Sequence, residues 1–220
     1  KVSFNEQASN GLVNTTMLFD IDHLTDEEAK YLPLFGSMLV QSGIGEKSYG
    51  EVSQEVSLYT GGISASPVII RSFKDNGKSK DYFKISGKCL ERNYSHMIDL
   101  MKGYANDFNF SDKDRVSTIV KKRLNSLSKA VVGSGHSYAM RLAGRKFSSA
   151  LEKSETYYGV HQLKIMQEVG SLDEAGIDKL IDQLVVIGKK IFIKNTVQSL
   201  VIGQKEVLDN TKKDIERFYN

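Results

Sequence analysis

With Cys89 as its only cysteine, this chain can form no internal disulfide, and no apolar segment opens it. The expected setting is therefore reducing and intracellular, either a bacterial cytoplasm or an organelle matrix. No apolar run approaches the length of a bilayer crossing, so no membrane partner is expected. The four histidines, His23, His96, His136 and His161, never fall three or four residues apart. No helix turn can therefore present two imidazoles to one metal, and no metal ligand is expected in this segment. The net charge of +3 reads as spread along the chain, with basic doublets such as Lys121-Lys122 and Lys212-Lys213 set among acidic residues. That pattern lacks the basic stripe of a nucleic-acid binder, so no nucleic-acid partner is expected.

What is present is enough for one domain. A length of 220 residues buries a core without help from a metal or a disulfide. The numbering opens on Lys1 rather than Met, which suggests an excised or processed piece of a longer protein. Leu12 to Ile21 is expected to be a core strand. Thr25-Asp26-Glu27-Glu28 has capping-box spacing and should open a helix running through Leu34, Met38 and Leu39 to Gly43. Ser48-Tyr49-Gly50-Glu51 repeats the signature, and Gly61-Gly62 should end the second helix in a backbone conformation that glycine tolerates.

Two strands follow, Ile63 to Phe73 and Lys80 to Leu90, joined as a hairpin at Lys74-Asp75-Asn76-Gly77. Pro67 removes a ladder donor and predicts a sheet edge or a bulge. In the second strand Phe83, Ile85, Gly87 and Cys89 share one face. The rest is mostly helical. Helices are expected from Tyr94 to Asn106, from Ser111 to the glycines at 133 and 135, from about His136 through Phe147 to Leu151, around Val160 to Met166, and after Ser171-Leu172-Asp173-Glu174. Asn195 to Ile202 reads as a strand, before a helix from about Lys205 to Phe218. With no linker, repeat or low-complexity tract, residues 1–220 read as a single α+β domain, its helices on one face of a small, largely antiparallel sheet.

Few residues invite chemistry. Ser134, His136 and Ser137 place hydroxyls beside an imidazole, but the Gly-x-Ser-x-Gly elbow is unmatched and no strand precedes them. They read instead as a helix break in which Ser134 or His136 caps the next helix. Gly77-Lys78-Ser79 lacks the upstream glycine of a phosphate loop. Asp20 with Asp22, and Glu152 with Glu155, are paired acids without an evident base, and read as solvated or ion-paired. Cys89 reads as a small buried hydrophobe. No catalytic residue is assigned.

The segment Gly133-Ser134-Gly135-His136-Ser137-Tyr138, followed by Glu152, Glu155 and Tyr158-Gly159-Val160, resembles the third domain of the presequence-protease group of zinc metallopeptidases, subgroup C of the M16 family. Asn10-Gly11-Leu12 through Phe19-Asp20, Tyr31-Leu32-Pro33-Leu34-Phe35 and Tyr59-Thr60-Gly61-Gly62-Ile63-Ser64 resemble the same region in the same order. The resemblance implies an M16-type domain of the LuxS and mitochondrial processing peptidase fold. It implies a noncatalytic, chamber-forming segment of an endopeptidase that degrades unstructured peptides, with zinc held in the parent enzyme's N-terminal domain and none here. The implied partners are the other domains of the same chain and an unstructured peptide. Gly133, Ser134, Gly135, His136 and Tyr138 match the family pattern as a structural motif, and no residue inherits a substrate contact. The alternative is a free-standing binding or scaffold module with this fold.

Overall fold

A computed structural model describes residues 1–75, 78–193 and 197–219. The N-terminal part forms β1 (Val2–Glu6), β2 (Leu12–Asp20), α1 (Asp26–Ala29), α2 (Leu32–Leu39), β3 (Gly43–Ile44), α3 (Tyr49–Tyr59), β4 (Ile63–Arg71) and β5 (Ser79–Leu90). Next come α4 (Tyr94–Asn106), β6 (Phe108–Asn109), α5 (Lys113–Gly133), α6 (Gly135–Gly144), α7 (Ser149–Tyr158), α8 (Val160–Gly170), α9 (Glu174–Ile191), β7 (Val197–Gly203) and α10 (Lys205–Tyr219). The main sheet has the order β1-β7-β2-β5-β4, parallel at β1 and β7 and antiparallel elsewhere. It is the α+β arrangement expected.

Strand alternation decides which face the helices take. Val13, Thr15, Met17 and Phe19 of β2 are buried and pair across the ladder with Cys89, Gly87, Ile85 and Phe83 of β5. The intervening Asn14, Thr16, Lys84, Ser86 and Lys88 stay at least partly exposed on the opposite face. Beneath the buried face Phe35 of α2 lies among Phe83, Phe108, Phe110 and Phe192, with ring centroids 5.4, 5.7, 5.8 and 6.0 Å away. β4 lies at the sheet edge, where Pro67 needs no ladder donor. Its inner side is reached closely by Gly36 of α2, where an added Cβ would lie 2.5 Å from the Ala65 carbonyl oxygen.

Local signals hold where side chain and backbone close a ring within a few residues. Thr25 and Ser48 both make complete capping boxes, with Glu28 and Glu51, and Gly62 has φ of +110° after α3. Other expectations are corrected. The helix after Thr25 is two helices, because Pro33 cannot donate to the carbonyl four residues back and instead sits in the first turn of α2. The helix expected from His136 to Leu151 breaks into α6, a 3₁₀ turn at Arg145–Phe147 and α7, since the Ser148 hydroxyl accepts from Leu151 N–H and starts a new helix. Asp173 caps α9, accepting from Gly176 N–H. Asn76 and Gly77 of the expected hairpin turn, and Asn195 and Thr196 of the expected last strand, lie outside the described residues.

The charge is also less evenly spread than the doublets suggest. Of the 30 Lys and Arg residues, eight lie between Arg115 and Leu151, and none of the 27 Asp and Glu residues does. This acid-free stretch runs from Arg115 in the first turn of α5 through α6 to the start of α7.

Two ion pairs tie the sheet end and α1 to their neighbours, Asp20 to Lys80 at 2.6 Å and Glu28 to Lys190 at 2.5 Å. Both carboxyls are held below their ordinary values of 3.8 and 4.5. Burial of Asp20 pulls upward, but hydrogen bonds from Lys80 and the Asp22 N–H, with the charges of Lys80 and His23, outweigh it. For Glu28 the Lys190 hydrogen bond leads, followed by the Thr25 N–H. A carboxyl depressed by folding contributes stability that is whole above its unfolded value and lost as pH falls through its folded one. The thermal midpoint should therefore hold level from pH 7 to about pH 5 and fall below about pH 4. Calorimetry across that range checks it, and the double variant Asp20→Asn with Glu28→Gln should fall less steeply.

Candidate functional site

Three clusters of polar groups stand out among the described residues. The first lies where the end of β2 and α1 face α7, around a cavity of about 440 Å³ lined by Asp22, Asp26, Asp81, Glu152, Lys153 and Tyr157. Asp81 occupies an inward position on β5, two residues before Phe83, and is 3% exposed. Its Oδ2 accepts from Lys153 Nζ at 2.7 Å and from the Tyr157 hydroxyl at 3.4 Å, while its N–H donates to Asp22 Oδ1. Burial, with the Asp81 carboxylate beside it, pushes the Tyr157 hydroxyl far up. It donates a hydrogen bond and does no acid-base work near neutral pH.

The second joins α7 to α8. Glu155, 1% exposed, turns its Oε1 to the N–H groups of Val160 and His161 at 2.8 and 3.3 Å and to His161 Nδ1 at 3.1 Å. Arg145 can only donate, so its Nη1 at 3.0 Å from His161 Nε2 leaves Nδ1 as the protonated nitrogen facing Glu155. The carboxylate thus satisfies the first free donors of α8, a task a capping residue usually performs. It also lies against Gly159, where a Cβ would overlap Oε2. The third is a shallow polar groove on the open sheet face, lined by Asn14, Thr16, Gly62, Ser64, Ser86 and Lys88, in which the Ser64 and Ser86 hydroxyls lie 3.0 Å apart.

Of the paired acids, Glu152 and Glu155 diverge: one lines the cavity, the other is buried against α8. Asp20 and Asp22 are linked through Asp20 Oδ1 and the Asp22 N–H, and each turns to a separate partner. Ser134, His136 and Ser137 are not gathered into a nucleophile site. Gly133, Ser134, Gly135 and His136 are exposed, and Tyr138 is half-buried. No side chain caps α6; Ser137 and Tyr138 instead donate their N–H groups to the Ser134 carbonyl. Neither glycine has positive φ, and backbone hydrogen bonding stands in place of the capping expected of Ser134 or His136. His23 donates from Nε2 to the Lys190 carbonyl, and His96 stacks on Tyr59 with centroids 4.1 Å apart. Burial pushes the Cys89 thiol up to about 12, away from thiolate reactivity. Among the described residues, no three His, Cys, Asp or Glu side chains come together as a metal site.

Asp81 was the legible omission, a charged residue in the inward register of an otherwise apolar strand face. Glu155 carries no comparable signal, because helical spacing from Glu152 suggests two exposed acids.

Comparison with known proteins places this geometry. A mitochondrial presequence protease of Danio rerio is 28% identical over 217 residues, covering 99% of this chain and 21% of the relative. That of Xenopus tropicalis is 29% identical over 217 residues with the same coverage. The chain thus spans about one fifth of the length of the curated relatives it matches. Among solved structures, a peptidase M16 inactive domain from Pseudomonas fluorescens superposes with a TM-score of 0.64 at 15% identity, over 99% of this chain and 47% of that one. The periplasmic protease PqqL of Escherichia coli gives 0.62 at 13% identity, over 98% of this chain and 22% of that one. These likenesses establish the fold. The family described as associated with the subgroup C peptidases of M16 matches residues 1–169, and the chain belongs to it.

Proposed function

We propose that this chain is a noncatalytic, chamber-forming domain of a zinc metalloendopeptidase that degrades unstructured peptides. The observation that carries the reading is the match over 99% of the chain to presequence proteases of which it forms about one fifth. A fold shared with a domain described as inactive supports the noncatalytic part. On this reading zinc and the peptide-cleaving groups belong to other parts of the polypeptide. The chain supplies wall and support, and its open sheet face, where the hydroxyls of Thr16, Ser64 and Ser86 lie with Asn14 and Lys88, suits a surface that passes extended peptide without retaining it. The mitochondrial relatives support an organelle matrix as the compartment.

The test compares the isolated chain with the full polypeptide. After dialysis the chain alone should retain no stoichiometric zinc and should leave an unstructured peptide intact. The full polypeptide should bind zinc and cleave that peptide in a chelator-sensitive way. Zinc-dependent cleavage by the isolated chain, or none by the full polypeptide, would overturn the proposal.

A further inference from the structure

The elbow between α5 and α6 serves no visible purpose inside the domain. A Cβ added at Gly133 or Gly135 would meet nothing within 4 Å, and neither residue has positive φ, so nothing in this fold calls for glycine there. α6 itself is inside out. Its half-buried stripe is Ser137, Tyr138, Arg141 and Gly144, with Arg141 donating to the Tyr158 carbonyl, and no residue of the helix is fully buried. The exposed arc instead holds His136, Ala139, Met140, Leu142 and Ala143. Val132 before it and Phe147 after it are 88% and 85% exposed. A helix that spends its polar groups on its own domain and turns its apolar ones to solvent has reversed the usual order. The surrounding acid-free stretch adds exposed Lys129 and Lys146.

We propose that the α5–α6 elbow and the outward face of α6 dock a helix from elsewhere in the same polypeptide. That helix brings apolar side chains to Val132, Met140 and Phe147 and carboxylates to Lys129 and Lys146. The inference rests on the reading above, in which about four fifths of the polypeptide lies outside this chain. Open glycines at the elbow and the small Ala139 and Ala143 on the arc let another backbone come close, which favours a packed helix over a bilayer, where such residues bury little apolar area. Two copies of this face would set lysine against lysine, which disfavours self-pairing.

Methionine oxidation provides the test, because Met140 is 66% exposed while Met17, Met38, Met97, Met101 and Met166 are all fully buried. Under dilute hydrogen peroxide, mass spectrometry of the isolated chain should show fast sulfoxide formation at Met140 and slow oxidation of the other five. In the full polypeptide Met140 should oxidise at least about tenfold more slowly. Lys129→Glu combined with Lys146→Glu should restore fast oxidation there while the buried methionines stay protected. Equal rates at Met140 in chain and full polypeptide would overturn the proposal, as would protection that survives the charge reversal. Phosphatidylserine vesicles should leave Met140 of the isolated chain open, and protection by them would assign the face to a membrane instead. An open Met140 in a full polypeptide that binds zinc and cleaves peptide sinks this inference alone, whereas absent zinc-dependent cleavage sinks the functional reading.

Discussion

Phe35→Ala is expected to lower the unfolding free energy by about 3–5 kcal/mol, the range for deleting a fully buried aromatic ring whose site cannot collapse. Phe35 is fully buried, and its four ring neighbours come from β5, β6, the segment after β6 and the end of α9. Those elements are fixed by their own hydrogen bonds, so they cannot all move inward to fill the space. Gly188 of α9 is pressed against the same cluster, where a Cβ would run into Phe108. Phe147→Ala deletes the same atoms from an 85% exposed position and should change stability by no more than about 0.5 kcal/mol. Urea titration of both variants measures the contrast. A Phe35→Ala loss under about 2 kcal/mol with an unchanged slope would mean that the ring cluster closes up around the deletion.

Glu155→Ala should cost about 2 kcal/mol, because it strands two backbone donors at the start of α8 and the Nδ1–H of His161 at a junction only partly open to solvent. Glu155→Gln keeps an acceptor at Oε1 but loses the charge that strengthens each bond, and a loss of about half that size is expected. Gly159→Ala provides an independent approach to the same junction, since its Cβ would displace the carboxylate. If it destabilises the chain as much as Glu155→Ala, and the two changes together cost little more than either, then one shared arrangement holds α7 to α8. Additive losses measured by denaturation would show the two residues to be independent.

The contrast between these sites explains what the sequence disclosed. The β4–β5 hairpin was legible because alternation at Phe83, Ile85 and Cys89 is a local pattern with period two. The capping boxes were legible because Thr25 and Glu28, or Ser48 and Glu51, meet within one turn. β1 was not, since the five residues Val2–Glu6 are too few to establish a period and pair only with β7, almost two hundred residues later. β3 and β6 are two residues each and exist because Gly43 and Ile44 meet Asn109 and Phe108. The family resemblance was visible at the elbow, yet its surroundings were not: periodicity could not reveal that Arg141 faces inward and Met140 outward, because that reversal depends on where Tyr158 sits.

The position of β7 sets an order on synthesis. It lies between β1 and β2, so until residue 203 has left the ribosome the sheet lacks an interior strand and β1 has nothing to pair with. The β2–β5–β4 portion can assemble early from neighbours close in sequence, but one edge of β2 stays unpaired throughout the time needed to make α4 to α9. An open strand edge with Met17 and Phe19 beside it is a natural binding point for a chaperone and an equally natural starting point for aggregation. Closing it requires joining residues far apart along the chain, which is the slow kind of step in folding. Slow translation through α9 would therefore lengthen the most vulnerable interval in this domain's life.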